Sequence, residues 1–180
     1  MRTFAISIAL LTMGTMAVAQ QPAAKPAVPE IRTYTSSAEV AAFIVRAKSE
    51  RKADQVVFSQ KLLSLAPYNV NLEYRAIAGT ASIHEREAEI FYIVEGTGTL
   101  VTGGKLVNET RKDSANLAGT AIEGGTSQTV SKGDFIIIPE NTPHWFSAIN
   151  GNGVIVNVTM HLPRPVPSFP ELEKLVAATH

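Results

Sequence analysis

The chain has 180 residues with 16 basic and 16 acidic side chains, so its formal net charge is zero, and it contains no cysteine. The charges are interspersed, which excludes the broad basic patch typical of nucleic-acid-binding proteins. Without cysteine, stability must come from packing, and any metal ion must be held by nitrogen and oxygen ligands.

Residues 1–19 have the pattern of a cleavable signal peptide. Arg2 precedes an apolar run, and Ala17-Val18-Ala19 is the small-x-small sequence that signal peptidase cuts. A membrane anchor is the alternative, but the run is shorter than the roughly 20 residues that span a bilayer. We expect cleavage after Ala19 and a soluble mature protein that is periplasmic or secreted.

The rest of the chain is long enough for one domain with its own core. Its predicted segments are a Pro/Ala-rich tether at 20–33, an N-terminal helix at 34–54, a β-barrel at 55–163, and a C-terminal tail with a short helix at 164–180. Ser36 and Glu39 have the spacing of a capping box at the start of the first helix. We expect this helix to cover one face of the sheet.

From Gln55 onward, short runs rich in β-branched and aromatic residues alternate with Gly, Pro, Asn and Asp. Many short strands with turn signals between them predict an antiparallel sandwich or barrel, and thus an all-β fold class. In the last run apolar and polar residues alternate, with Asn157, Thr159 and His161 on the polar face. We expect surface positions for His161 and for His180.

The first of two informative blocks covers residues 78–96 and contains His84 and Glu89. His84 lies at the end of a predicted strand. A tight turn near Glu87 and Ala88 would return the chain, so that Glu89 begins the next strand close to His84. Gly96 is expected to end that second strand.

The second block covers residues 131–146. It predicts a turn at Gly133 and Asp134, a buried strand over 135–138, and a rigid bend over 139–143 that delivers His144. Two imidazoles and a carboxylate, His84, His144 and Glu89, form a three-ligand set with open coordination positions, which is typical of a catalytic metal site. Hydrogen-bonded core histidines are the alternative interpretation.

These two blocks resemble the two signature motifs of the cupin superfamily. Glu89-x6-Gly96 matches the end of the first motif, and Gly133-x5-Pro139 followed by His144 matches most of the second. The resemblance covers about residues 55–162 and implies a double-stranded β-helix, the cupin or jelly-roll barrel. It specifies the fold better than the reaction, because this fold hosts many chemistries.

The sequence also departs from the family pattern. Arg86 occupies the place of the second histidine of the first motif, and the spacing from His84 to Glu89 is shorter than the family norm. Asn141 replaces a glycine, and Ala148 replaces an asparagine. A four-ligand site is therefore not available from the usual positions.

The resemblance implies an enzyme that uses a divalent iron, manganese, zinc or nickel ion. It would be an oxygenase, isomerase or lyase acting on a small polar or carboxylate-bearing molecule. The metal ligands would be His84, Glu89 and His144, and the catalytic side chains would be Glu89 and Arg86. Arg86 would orient a substrate anion, or else form a structural salt bridge with Glu87 or Glu89.

Two alternatives to this metal enzyme remain open. The first is a non-catalytic cupin that binds a sugar or small acid and has lost part of the metal motif. The second is a metal-free epimerase. A metal-free epimerase would need a histidine base beside a tyrosine acid, for which His84 and Tyr92 are the available couple. The resemblance also implies a homodimer, with the helix at 36–52 or an edge strand at the interface.

Overall fold

A computed structural model describes residues 31–151 and 153–164 of the chain. The predicted signal peptide, the tether up to residue 30 and the C-terminal tail with its predicted helix lie outside the described residues, apart from Arg164. Within the described ranges, no helix is both long enough and apolar enough to cross a membrane.

The described residues form one helix and twelve strands, as the all-β prediction required. The elements are α1 Ser37–Glu50, β1 Val57–Leu65, β2 Tyr68–Arg75, β3 Ala81–His84, β4 Glu87–Thr102, β5 Lys105–Val107, β6 Thr110–Arg111, β7 Asn116–Gly119, β8 Ala121–Glu123, β9 Thr126–Ser131, β10 Phe135–Ile138, β11 His144–Ile149 and β12 Ile155–Pro163.

The long strand β4 belongs to two sheets and joins them. Its first half lies between β12 and β10 in sheet I, which has the order β1-β2-β12-β4-β10. Its second half lies between β11 and β9 in sheet II, which has the order β6-β7-β3-β11-β4-β9. The named pairs are antiparallel, and β5 with β8 forms a separate small pair. This arrangement is the expected barrel.

Sheet I is covered by apolar side chains on both of its faces. Inside the barrel, buried residues of both sheets form one core: Phe91, Ile93, Leu100, Val130, Ile138, Phe146 and Ile155. Outside the barrel, α1 packs its buried residues against sheet I and forms a second core: Phe43, Ile44, Ala47, Leu62, Val70, Leu72, Tyr74 and Val156. The helix therefore covers one face of the sheet, as predicted.

The helix begins where the capping box predicted. The backbone N–H of Glu39 donates to Ser36 Oγ at 3.2 Å, and the backbone N–H of Ser36 donates to Glu39 Oε2 at 2.8 Å. These two bonds satisfy donors that a helix N-terminus otherwise leaves without partners. Phe43, Ile44 and Ala47 then recur at helical spacing on the buried face.

The prediction that β10 is a buried strand is wrong. Ile138 is buried, but Phe135 is 74% exposed and Ile137 is 62% exposed. In the register with β4, Ile136 and Ile138 point into the barrel, so Phe135 and Ile137 must face outward. An unbroken apolar run does not distinguish a strand covered on both faces from one covered on a single face.

The prediction that Gly96 ends a strand is also wrong. β4 continues through Gly96, which has a positive φ of 87°, and passes there from sheet I to sheet II. A Cβ at this position would overlap the backbone carbonyl oxygen of Val154. Glycine is therefore required both by the backbone conformation and by the close approach of β12.

Replacing Gly96 by alanine should destabilise the protein by about 2 to 5 kcal/mol, the sum of positive-φ strain and steric overlap. Gly133→Ala is the matched control, because Gly133 has a similar φ of 94° but a Cβ there contacts nothing within 4 Å. The control should cost only about 1 to 2 kcal/mol. Urea unfolding of both variants measures the difference, and equal losses would contradict the proposed clash with Val154.

Candidate metal centre

Four side chains from four strands meet at one end of the space between the sheets. His84 is the last residue of β3, Glu89 lies near the start of β4, His144 begins β11, and His161 lies near the end of β12. The turn between β3 and β4 is at residues 85–86, two residues earlier than predicted. Glu89 then lies opposite His161 in the β4–β12 register.

The bend between β10 and β11 fixes the two motif histidines relative to each other. The backbone N–H of Asn141 donates to the carbonyl of His84 at 2.7 Å, and Gly103 N–H donates to the carbonyl of Pro143 at 2.8 Å. Asn141 has a positive φ of 57°. Asparagine tolerates this conformation better than most residues, which explains how it replaces the glycine of the family motif.

The cluster is centred on the carboxylate of Glu89, which is 4% exposed. Oε2 of Glu89 lies 2.9 Å from Nε2 of His144 and 3.7 Å from Nε2 of His84. Oε1 lies 3.5 Å from Nε2 of His161. Among the described residues, the trio with the mutual spacing of a metal site is His84, Glu89 and His161, whose ligand atoms all lie within 4.8 Å of one another, and not the predicted trio with His144.

The protonation of His84 follows from its hydrogen bonds. Nδ1 of His84 lies 2.6 Å from Oδ1 of Asn116. The amide nitrogen of Asn116 donates to both carboxylate oxygens of Asp113, at 2.9 and 2.8 Å, which fixes the orientation of the amide. An amide oxygen can only accept, so Nδ1 carries a proton, and in the neutral ring Nε2 presents a lone pair to Glu89.

His144 is held in the same way. Its Nδ1 lies 3.0 Å from the backbone carbonyl oxygen of Thr142, which can only accept. The proton is therefore on Nδ1, and in the neutral ring Nε2 is a lone-pair donor. Histidines that bind metals commonly donate their second ring N–H to a carbonyl or amide oxygen in this manner.

One buried oxygen of the cluster lacks a hydrogen bond of normal geometry. Among the described residues, Oε2 of Glu89 has no hydrogen-bond partner, although it is buried and Nε2 of His144 lies 2.9 Å away. Bonds of about 2.0 to 2.2 Å to one ion would place neighbouring ligand atoms about 3.0 Å apart in an octahedral site and about 3.4 Å apart in a tetrahedral one. The separation of His144 from Glu89, 2.9 Å, matches the octahedral spacing, whereas those of His161 and His84, 3.5 and 3.7 Å, exceed the tetrahedral spacing by a few tenths of an ångström.

The carboxylate of Glu89 stays charged despite its burial. Burial alone would raise its pKa, but a hydrogen bond from His144 and the positive charges of His144, His161 and His84 in their protonated forms outweigh burial and hold the pKa below the ordinary value of 4.5. A buried carboxylate that remains ionised requires positive charge close by. The site thus favours positive charge beside Glu89, carried either by ring protons or by a cation.

The structure brings together the three residues for which a metal site was predicted, His84, Glu89 and His144. Their ligation of a metal stays a prediction. The surface position expected for His161 is wrong, because its ring lies 5.1 Å from that of His84 and its Nδ1 lies 2.9 Å from Oε2 of Glu87. The polar face of β12 points into the barrel and not toward solvent, and Asn157 and Thr159 on it are fully buried.

Arg86 does not join the cluster. It is exposed in the β3–β4 turn, its side chain makes no salt bridge with Glu87 or Glu89, and its backbone carbonyl accepts from Arg164 N–H at 2.8 Å. The interpretation of Arg86 as a substrate-binding residue therefore gains no support. Tyr92 is also remote, stacking on Phe135 outside the barrel at 4.5 Å between ring centroids.

Two cavities adjoin the cluster and share His84 and His161 in their walls. The outer cavity, of about 330 Å³, is lined by polar side chains: Lys61, Asn69, Asn71, Glu87 and Asn116. The inner cavity, of about 180 Å³, extends between the sheets past Glu89 and His144 to Arg75 and Glu73. A ligand in either cavity would lie beside the four clustered side chains.

Comparisons with known proteins agree with this architecture. The Cupin family model matches residues 39–176. A search of curated protein sequences gave no significant match.

Solved structures with a similar arrangement include an iron(II) form of HppE, with 15% identity and a TM-score of 0.47 over 62% of this chain and 54% of that one. They also include KdgF from Halomonas sp., with 16% identity and a TM-score of 0.45 over 64% and 87%. A third is BH2720 from Bacillus halodurans, with 17% identity and a TM-score of 0.47 over 76% and 85%. The chain thus aligns with only about half the length of HppE.

The family match covers most of the chain and includes both motif blocks, the barrel strands and all of the clustered histidines. On that match, the chain belongs to the cupin family.

Proposed function

We propose that this cupin is a divalent-metal-dependent enzyme that acts as an oxygenase, isomerase or lyase on a small polar or carboxylate-bearing molecule. One observation carries the proposal. The imidazoles of His84, His144 and His161 converge on the buried, charged carboxylate of Glu89, whose Oε2 has no hydrogen bond of normal geometry to a described residue. Lone pairs at such distances repel each other unless a ring proton or a cation lies among them, and a divalent ion can satisfy all of these contacts at once.

Each residue of the cluster has a defined task in this proposal. Nε2 of His84, His144 and His161 and the carboxylate of Glu89 would hold the ion, and Asn116 and Thr142 would keep two of the rings in the ligating tautomer. Iron, manganese, zinc or nickel in the divalent state suits this nitrogen and oxygen set, and would supply a Lewis acid or a redox centre.

The remaining walls would position the substrate and exclude water. Phe91 and Phe146 form an apolar wall of the inner cavity, with ring centroids 5.3 Å apart. Trp145 is fixed beside them by its indole N–H, which donates to the carbonyl of Gly79 at 2.7 Å. Substrate would enter through the outer cavity, where amide side chains and Lys61 offer hydrogen bonds to hydroxyl or carboxylate groups.

The purified protein, stripped and reloaded with each of the four metals, should bind one divalent ion near stoichiometry. His84→Ala, His144→Ala and His161→Ala should each weaken the affinity by more than about 100-fold, because each removes a ligand and second-shell changes alone cost about 10- to 100-fold. Elemental analysis and competition with a chelator measure this. Unchanged metal content in the His84 and His144 variants would contradict the proposal.

Two further variants calibrate this experiment. His180→Ala removes the one histidine outside the described residues and should leave metal content unchanged. Asn116→Ala removes only the partner of His84 Nδ1 and should weaken binding by about 10- to 100-fold. Metal-independent binding of small ligands by the wild type would instead favour a non-catalytic cupin.

We also propose that the protein is exported, on the signal-peptide pattern of residues 1–19. When it is expressed in a Gram-negative host, the intact mass of the protein in the periplasmic fraction should correspond to a chain beginning at Gln20. Uncleaved protein confined to the cytoplasm would contradict this proposal.

The homodimer expected from the sequence remains a proposal. Phe135 and Ile137 on strand β10, an edge strand of sheet I, are the exposed apolar side chains that such a contact would bury. Light scattering should give twice the mass of one chain, and Phe135→Ser with Ile137→Ser should lower it. A monomer in the wild type at micromolar concentration would exclude this interface.

A further inference from the structure

A charged pair closes the end of the inner cavity that lies away from the metal centre. Glu73 and Arg75 of β2 line this cavity. Oε2 of Glu73 accepts from Arg75 Nη2 at 2.5 Å, from Thr159 Oγ1 at 3.0 Å and from Asn157 Nδ2 at 3.2 Å. Asn157 and Thr159 are fully buried on β12. The pair is therefore built into the barrel and is not a surface salt bridge.

The guanidinium of Arg75 is held in one orientation. Its Nε donates to Asn157 Oδ1 at 3.2 Å, and its Cζ lies 5.2 Å from the centre of the Phe146 ring. Its Nη1 makes no hydrogen bond to any described residue. The planar fork of arginine suits carboxylate groups, and a fork already fixed by its neighbours loses little entropy on binding. One edge of Arg75 is thus prepared for a ligand in the cavity.

The net charge of the inner cavity decides which ligand suits this edge. Its charged lining groups are two carboxylates, Glu73 and Glu89, and one guanidinium, Arg75, so with neutral histidines the lining carries −1. A divalent ion on the cluster changes this to +1. Charge buried at low dielectric favours a neutralising partner, so the metal-loaded cavity favours a single negative charge.

We propose that Arg75 binds the carboxylate of a small monoanionic substrate whose other end reaches the metal centre. The proposal rests on the proposed function, because the metal supplies the second anchor and the positive charge. A cavity of about 180 Å³ is smaller than the roughly 300 to 1,000 Å³ of ordinary ligand pockets, so the substrate is a short-chain acid. Arg75 thereby takes the role that the sequence suggested for Arg86.

The probe for this experiment is 4-hydroxybutyrate, and its amide, 4-hydroxybutanamide, is the uncharged control of similar size. Binding to the zinc-loaded full chain is measured by calorimetry. The acid should bind wild type at least about tenfold more tightly than the amide does. Arg75→Gln should weaken binding of the acid by at least about tenfold, the smallest loss expected for a charge-assisted hydrogen bond, and Arg75→Lys should weaken it less.

Further variants separate binding from folding. Glu73→Gln combined with Arg75→Gln removes both charges of the pair, so that neither partner is left charged and unpaired, and should lose acid binding as the single variant does. Arg111→Gln disrupts an exposed pair with Glu85, whose oxygens accept at 2.9 and 3.0 Å, and should change nothing. The proposal would be overturned if the Arg75 variants bound the acid as tightly as wild type does, or if wild type bound the amide as tightly as the acid. It would also be overturned if metal-loaded wild type did not bind the acid.

Metal content read in parallel separates the two proposals. Arg75→Gln should retain zinc, whereas the His84 and His144 variants should lose it. If wild type holds no zinc but binds the acid in an Arg75-dependent manner, the metal proposal and the second anchor fail, and only the contact of Arg75 with the carboxylate stands. If zinc is bound near stoichiometry and Arg75→Gln binds the acid as wild type does, the carboxylate site fails and the metal proposal stands.

Discussion

The contact between Nε2 of His144 and the carboxylate of Glu89 constrains the chemistry of this protein more than any other. The carbonyl of Thr142 fixes the proton of His144 on Nδ1, so two lone-pair-bearing atoms face each other 2.9 Å apart in a buried place. Burial strengthens electrostatic interactions of either sign. Such an arrangement is favourable only when positive charge lies within it, either as a second ring proton or as a bound ion. The hydrogen bond of His84 to Asn116 imposes the same condition from the other side of the carboxylate.

Sheet I can hold this polar cluster because its apolar burial takes place elsewhere. The helix α1 covers the outer face of the sheet, where Val156 of β12 is fully buried beneath it. The inner core fills the opposite part of the barrel with Phe91, Ile155 and their neighbours. Side chains on one strand alternate between these faces, so β12 contributes Val156 to the outer core and Asn157 to the interior. The inner core and the outer core under α1 together bury the apolar surface that the interior alone would bury in a barrel without a polar cluster.

The sequence predicted the fold, the helix and its cap, and the meeting of His84, Glu89 and His144, because each depends on local spacing or on a motif. It did not predict His161 or Asn116. The alternation of β12 was read correctly, but which face points inward depends on what covers the other face, and that is set by α1 far away in the chain. The strand β7, which carries Asn116, has only four residues and no alternating pattern. The prediction of a buried β10 was wrong for the same reason as the surface position predicted for His161, since periodicity alone does not identify the covered face of a strand.

The departure at Arg86 also has a spatial explanation. β3 ends at His84, so the residue two positions later lies in the turn and no longer shares the inward face of the strand. A ligand at that position would have required two more residues of strand. The structure instead supplies a third imidazole from β12, whose register places His161 directly opposite Glu89. A sequence motif specifies positions along the chain, whereas coordination of a metal ion depends on positions in space. A missing motif histidine therefore says little about the number of nitrogen ligands until the partner strands are known.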